Sequence, residues 1–164
     1  MNKICFNLNI KKNRIVLLFA TWFYIGNIKI APGTFGTIGA IPLIYILKKT
    51  SFEYYIIFLI IFIGFSIYIS HKAEKIFNKK DAGNIVIDEV VGYLVTMIFI
   101  NFQPMEIFLG LLVFRLFDIL KPFPINKLQN IKGGIGVVID DVVAGIFSSI
   151  TLSYLIFFIK TLFY

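Results

Sequence analysis

Five acidic residues of this chain stand in apolar runs, where carboxylates are uncommon. They form three short motifs: Asp88 and Glu89 in IVIDEVVG, Asp118 in FRLFDILKPFP, and Asp140 and Asp141 in GGIGVVIDDVVAG. A carboxylate inside a membrane segment is costly and marks a candidate functional site. Several carboxylates in one place cannot all stay ionised unless cations offset their charge. Since carboxylate oxygens suit Mg²⁺ or a similar hard cation, we predict that these five residues are catalytic and metal-binding.

Two basic residues flank Asp118 in the sequence. Arg115, Asp118 and Lys121 follow one another at intervals of three residues, which places them near one another along a helix. Arg offers a planar fork to phosphate oxygens and Lys a point charge, so both are candidate phosphate-binding residues. Structural alternatives stay open at this point. Asp118 could simply pair with Arg115, and Asp88 and Glu89 could be charges favoured at a helix N-terminus.

Glycine-rich turns precede two predicted helices, in APGTFGT (31–37) and KGGIG (132–136). Backbone N–H groups at such a helix start can bind an anion. The candidate phosphate-binding residues here are Gly33, Thr34 and Gly36. The alternative is a turn that only starts a helix after Pro32.

The composition requires lipid around much of the chain. Of 164 residues, 59% are hydrophobic and 15% are charged, against roughly 45–50% and ~25% in soluble domains. These values exclude a soluble domain, a disordered protein and a disulfide scaffold. The net charge of +7 indicates cytoplasmic loops and anionic lipid headgroups rather than nucleic acid, because the basic residues are scattered between apolar runs.

The apolar runs predict an all-α integral membrane bundle that forms a single domain over residues 1–164. We expect about four transmembrane helices plus a re-entrant or interfacial segment at 15–28, because this 14-residue run is too short to span comfortably. The other runs are 30–47, helical from near Thr34, then 54–70, 90–105, 107–120 and 142–159. Small residues on the face of Asp140 and Asp141, such as Gly145, predict a closely packed neighbouring helix.

Lysines set the expected orientation. Loops 71–84 and 121–134 are lysine-rich, which predicts that both lie in the cytoplasm, and Lys3, Lys11, Lys12 and Arg14 favour the same side. Asp88, Asp118 and Asp140 each adjoin one of these loops. At ~1.5 Å per residue, each lies within roughly 10 Å of its cytoplasmic helix end. The carboxylates should therefore collect in one shallow layer under the cytoplasmic face.

Several kinds of chemistry are excluded. The single His71 rules out lipid phosphatases built on two histidines, and the single Cys5 cannot form an internal disulfide. The sequence has no DxD motif near a strand, no DGxxAR pattern of lipid phosphoalcohol transferases and no Walker loop. These absences narrow the chemistry that the acidic motifs could perform.

Four motifs together resemble the phosphatidylglycerophosphatase A family, in order and in spacing, from about Asn27 to Ser149. They are APGTFGT, the DE pair at 88–89, FRxxDxxKPFPI (114–125) and GGxGVVIDDVVAG (133–145). The resemblance implies an all-α bundle that removes the terminal phosphate of phosphatidylglycerophosphate with Mg²⁺. The product would be phosphatidylglycerol, and the site would face the cytoplasm at the bacterial inner membrane.

Two other function classes stay in view. A carrier of divalent cations or protons could use intramembrane acids as a pathway, but it should place them near the bilayer midplane with outward access. A structural subunit would leave the carboxylates without a purpose. No pattern in the sequence indicates an oligomeric state.

Overall fold

The computed structural model describes residues 13–163, and all regular secondary structure in this part of the chain is helical. The predicted all-α fold class is therefore confirmed. The helices are α1 (13–20), α2 (Pro32–Gly39), α3 (Ile41–Lys48), α4 (Phe52–Phe77), α5 (Ile87–Thr96), α6 (Pro104–Leu120), α7 (Ile125–Leu128) and α8 (Gly134–Phe163). The predictions for Cys5, Lys3, Lys11 and Lys12 fall outside the described residues.

Two helices, α4 and α8, are long and apolar enough to cross a membrane. Their 26 and 30 residues correspond to about 39 Å and 45 Å, more than the ~30 Å of a bilayer's hydrocarbon core. Large apolar side chains are exposed on both helices, among them Ile61 on α4 and Phe157 on α8. Helices α5 and α6 have only 10 and 17 residues, so the expected count of four spans is not established.

Three boundaries differ from the sequence prediction. The run expected to be helical from Thr34 begins at Pro32 and is divided into α2 and α3 at Ala40. Pro42 explains the division, because proline lacks an N–H and its ring would clash with the carbonyl of Ile38 in a continuous helix. Helix α4 continues to Phe77, although its uncharged run ends at Ser70. The charge boundary is therefore not the helix boundary.

Segment 15–28 is not one continuous helix. Helix α1 ends at residue 20, and positive φ angles at Trp22, Phe23 and Tyr24 turn the chain. The Trp22 indole N–H donates to the carbonyl of Gly39, 2.9 Å away, which ties this turn to the end of α2.

Helix α5 is the centre of the bundle and contacts α2, α4, α6 and α8. All its residues are buried except Glu89, which is half-buried. Glycines allow α5 and α8 to approach closely, as the small-residue pattern predicts. A Cβ on Gly145 would lie 2.9 Å from Val95 Cβ and would collide with the carbonyl of Gly92. This approach brings the acids of α5 next to those of α8.

Loops 71–84 and 121–134 lie at the same end of the molecule, as predicted. The Lys80 ammonium donates to the carbonyl of Gln129 at 2.9 Å, and the Gln129 side-chain amide donates to Asp81 at 3.3 Å. The acidic motifs that adjoin these loops therefore share one end of the bundle.

Candidate active site

Asp88, Glu89 and Asp141 form a compact group, which we call the carboxylate triad. One carboxylate oxygen from each lies within 4.8 Å of the others. Asp88 and Glu89 occupy the first turn of α5, and Asp141 lies in the second turn of α8. Gly92 allows α5 and α8 to pack closely enough to bring these carboxylates together. A Cβ on Gly92 would lie 2.8 Å from the Asp141 carbonyl oxygen.

The chemistry of the triad fits a hard divalent cation. Asp88 Oδ1 and Glu89 Oε2 are buried and have no hydrogen-bond partner. Among residues 13–163, no lysine or arginine forms an ion pair with Asp88 or Asp141. Buried carboxylates crowded together without cations are electrostatically unfavourable, and oxygen donors are the ligands that Mg²⁺ prefers.

Asp118 and Asp140 differ from the triad because each has a basic partner. Arg115 Nη1 forms an ion pair with Asp118 Oδ2, so the predicted i, i+3 pair is present. The Lys121 ammonium donates to Asp140 Oδ2 at 2.5 Å and lies 3.9 Å from Asp118 Oδ1. Ion pairing thus accounts for part of the acidic cluster.

Arg115 connects these ion pairs to the triad. Its Nη1 lies 3.7 Å from Glu89 Oε1. Arg115 Nε is buried and has no hydrogen-bond partner among the described residues. The Nε donor of this guanidinium is therefore not engaged by another group of the described residues.

Lys121 ends α6 in a left-handed conformation, with φ 41°, directly before Pro122. Burial alone would lower the pKa of its ammonium. The hydrogen bond to Asp140 and the charges of Asp140, Asp141 and Asp118 outweigh burial and raise that pKa above its ordinary value. Lys121 is therefore a fixed positive charge at the edge of the site.

The candidate residues of α2 divide into two groups. A Cβ on Gly33 would collide with Glu89 Oε1 and would lie 2.9 Å from Arg115 Nη1, so Gly33 borders the site. Gly36 packs instead against Val86, in the segment before α5, where a Cβ would lie 2.8 Å from Val86 Cβ. Thr34 is half-buried next to Gly33.

Asp81 is an additional acid at this end that the sequence motifs do not include. It has a positive φ of 46°, and its backbone N–H donates to Glu74 Oε1 at 2.9 Å. Its carboxylate Oδ2 accepts a hydrogen bond from the Gln129 side-chain amide at 3.3 Å, which places it at the same end of the bundle. Its position seven residues before Asp88, in a loop assigned to the same face, is the feature that could have identified it.

Comparisons with known proteins find related sequences over most of this chain. The family model described as Phosphatidylglycerophosphatase A matches residues 18–156. Phosphatidylglycerophosphatase A of Escherichia coli (strain K12) is 34% identical over 134 residues, which cover 80% of this chain and 78% of the relative. Phosphatidylglycerophosphatase A of Haemophilus influenzae is 34% identical over 138 residues, covering 82% and 85%.

A Bacteroides thetaiotaomicron protein carries a different name, "Putative phosphatidylinositol-3-phosphatase". It is 32% identical over 145 residues, which cover 84% of this chain and 91% of that protein. No solved structure matches this chain.

Proposed function

This chain belongs to the phosphatidylglycerophosphatase A family and is a phosphoric monoester hydrolase; from this premise we propose that it hydrolyses phosphatidylglycerophosphate with Mg²⁺. The reaction adds water across the terminal P–O ester bond and yields phosphatidylglycerol and inorganic phosphate. The observation that carries the proposal is the carboxylate triad next to a guanidinium with a free donor.

Asp88, Glu89 and Asp141 would hold the metal ion. Their oxygens converge, and two of the three residues have buried oxygens without hydrogen-bond partners. When bound there, Mg²⁺ would supply positive charge to neutralise the phosphoryl oxygens or to activate water.

Arg115 and Lys121 would bind the substrate phosphate. In this role Arg115 uses its free Nε donor, and Lys121 supplies a point charge at the edge of the site. Asp118 and Asp140 would position these two cations through their ion pairs. Gly33 leaves the space that Glu89 and Arg115 occupy. The attacking group is either a carboxylate of the cluster or a water molecule.

We place the enzyme in the bacterial inner membrane as a multi-pass protein with its site facing the cytoplasm. Support comes from α4 and α8, which are long and apolar enough to cross a bilayer, and from the lysine-rich loops at the site's end. Segment 15–28 would lie at the interface or re-enter, since α1 ends at residue 20.

The carrier alternative fits the geometry less well. A carrier needs polar groups along a path through the bilayer. Asp88, Glu89, Asp118, Asp140 and Asp141 instead gather at one end of the bundle, where Arg115 and Lys121 neutralise part of their charge.

Phosphate release by the purified full-length chain tests the proposal. We expect release from phosphatidylglycerophosphate with Mg²⁺, and none with EDTA or in the Asp141→Asn variant. Phosphatidylinositol 3-phosphate belongs in the same assay because of the Bacteroides relative's name. Hydrolysis of that lipid faster than of phosphatidylglycerophosphate would contradict the proposed substrate. Full activity in EDTA would contradict the proposed requirement for Mg²⁺.

A further inference from the structure

A groove of about 510 Å³ lies where the C-terminal end of α4 meets the start of α8. We call it the basic groove, because its lining includes Lys75, Lys79, Lys80 and Lys132. The other polar side chains that line it are His71, Glu74 and Asn78. None of the residues proposed for catalysis lines it, so it is separate from the carboxylate triad.

The positive charge of the basic groove is largely uncompensated. Four lysines face a single acid, Glu74, whose Oε1 already accepts a hydrogen bond from the Asp81 backbone. In the part of the chain that the structure describes, Lys75, Lys79 and Lys132 form no ion pair. Gathering like charges is unfavourable by itself, so an anion in the groove would be bound favourably.

The groove lies at the depth of lipid headgroups if α4 crosses the bilayer. The uncharged stretch of α4 ends at Ser70, and the groove's first lining residue is His71. Close by, Tyr68 and Ile135 expose about half of their surface, at 52% and 50%. A lysine cluster directly beyond a transmembrane helix, beside exposed apolar side chains, suits a lipid with a negative headgroup.

We propose that the basic groove binds the phosphodiester headgroup of an anionic membrane phospholipid, at a site distinct from the one that hydrolyses substrate. The lysines contact the phosphate, and the acyl chains lie along the apolar surface near Tyr68 and Ile135. This binding does not depend on the proposed function. The groove would hold the end of the protein that carries the triad against an anionic membrane surface.

The test uses native mass spectrometry to measure the binding of dihexanoyl phosphatidylserine to the full-length chain in dodecyl maltoside. This lipid is anionic but is neither substrate nor product of the proposed reaction, so the result is independent of activity. The variant K75Q/K79Q/K132Q should bind it at least tenfold more weakly than the wild type. Dihexanoyl phosphatidylcholine, which has no net charge, should bind the wild type at least tenfold more weakly than phosphatidylserine.

The matched control also removes three lysine charges, but at positions outside the groove. In K29Q/K49Q/K127Q, the ammonium groups of Lys49 and Lys127 lie over aromatic rings (Tyr45 and Phe123), Lys29 is exposed, and none of the three lysines lines the groove. This control should bind phosphatidylserine within twofold of the wild type. Equal weakening in both triple variants would overturn the proposal, and so would displacement of the lipid by an equal concentration of inorganic phosphate. If the groove variant melts below the wild type, the single variants Lys79→Gln and Lys132→Gln decide, since each should still weaken binding.

Discussion

The Lys121 ammonium donates a hydrogen bond of 2.5 Å to Asp140, across the contact between the end of α6 and α8. The next residue, Asp141, has no ion-pair partner within residues 13–163 and instead faces Asp88 and Glu89. These two adjacent acids therefore differ in their nearest charged neighbours. Asp140 is paired with a cation of the protein itself, whereas Asp141 is one of the three residues that we propose as ligands of an added metal ion.

Asparagine substitutions at these two positions should change stability in opposite directions when metal is absent. Asp140→Asn removes the partner of Lys121, so we expect the free energy of unfolding in chelator to fall by about 1–3 kcal/mol. Asp141→Asn relieves repulsion within the triad, so stability in chelator should be unchanged or higher. Melting curves of both variants in detergent, with EDTA, measure the difference.

The same variants should also differ in how much added Mg²⁺ raises their melting temperature. It should raise the melting temperature of the wild type and of Asp140→Asn, because a ligand that binds only the folded state stabilises it. The same addition should have a much smaller effect on Asp141→Asn. An equal Mg²⁺ response in Asp141→Asn and the wild type would exclude Asp141 as a ligand.

Arg115 should be required for activity and should not be replaceable by lysine. Arg115→Ala should lower kcat/KM by roughly 10²-fold or more, because it removes a charge-assisted contact to a phosphoryl oxygen. Arg115→Lys should recover only part of this loss, since an ammonium lacks the planar fork. The control is Lys160→Ala, which removes a cation paired at 3.7 Å with Glu106 and outside the site. Near-normal steady-state kinetics in Arg115→Ala would show that Arg115 does not bind the substrate phosphate.

Gly33→Ala should impair catalysis through a single methyl group. The new Cβ would collide with Glu89 Oε1 and would approach Arg115 Nη1 to 2.9 Å, so at least one of these side chains must move. We expect kcat/KM to fall at least tenfold, because small displacements of catalytic groups are costly. The matched control is Gly64→Ala in α4, where a Cβ would have no neighbour within 4 Å. A Gly33→Ala enzyme as active as Gly64→Ala would show that the site tolerates this displacement.

Membrane sidedness can be measured by cysteine labelling after Cys5→Ser removes the only native thiol. Single cysteines replacing Lys79 and Lys127 should react only from the cytoplasmic side, because their loops are lysine-rich and the positive-inside rule applies. A cysteine replacing Gln103, which is exposed at the start of α6, should react from outside. Labelling of positions 79 and 127 from opposite sides would contradict the shared face.

The sequence alone was enough to select the candidate residues of the site. A charged residue in an apolar run is costly and is therefore a candidate for a functional role. This argument selects Asp88, Glu89, Asp118, Asp140 and Asp141. The lysine-rich loops placed these acids at one end, and the contact between Lys80 and Gln129 agrees with that placement. The motif order also identified the family correctly.

Only the tertiary structure decided what each acid contacts. Adjacent helical residues differ by ~100° in direction, so Asp140 and Asp141 meet different neighbours, and packing sets which ones. The close approach of α5 and α8 at Gly92 and Gly145 unites the triad, whereas Lys121 engages Asp140 at the end of α6. Asp81 lies at the same end of the bundle in a loop conformation, with a positive φ, that periodicity does not encode. Charge in an apolar context is a local property of the sequence, but the pairing of charges depends on the distances between helices.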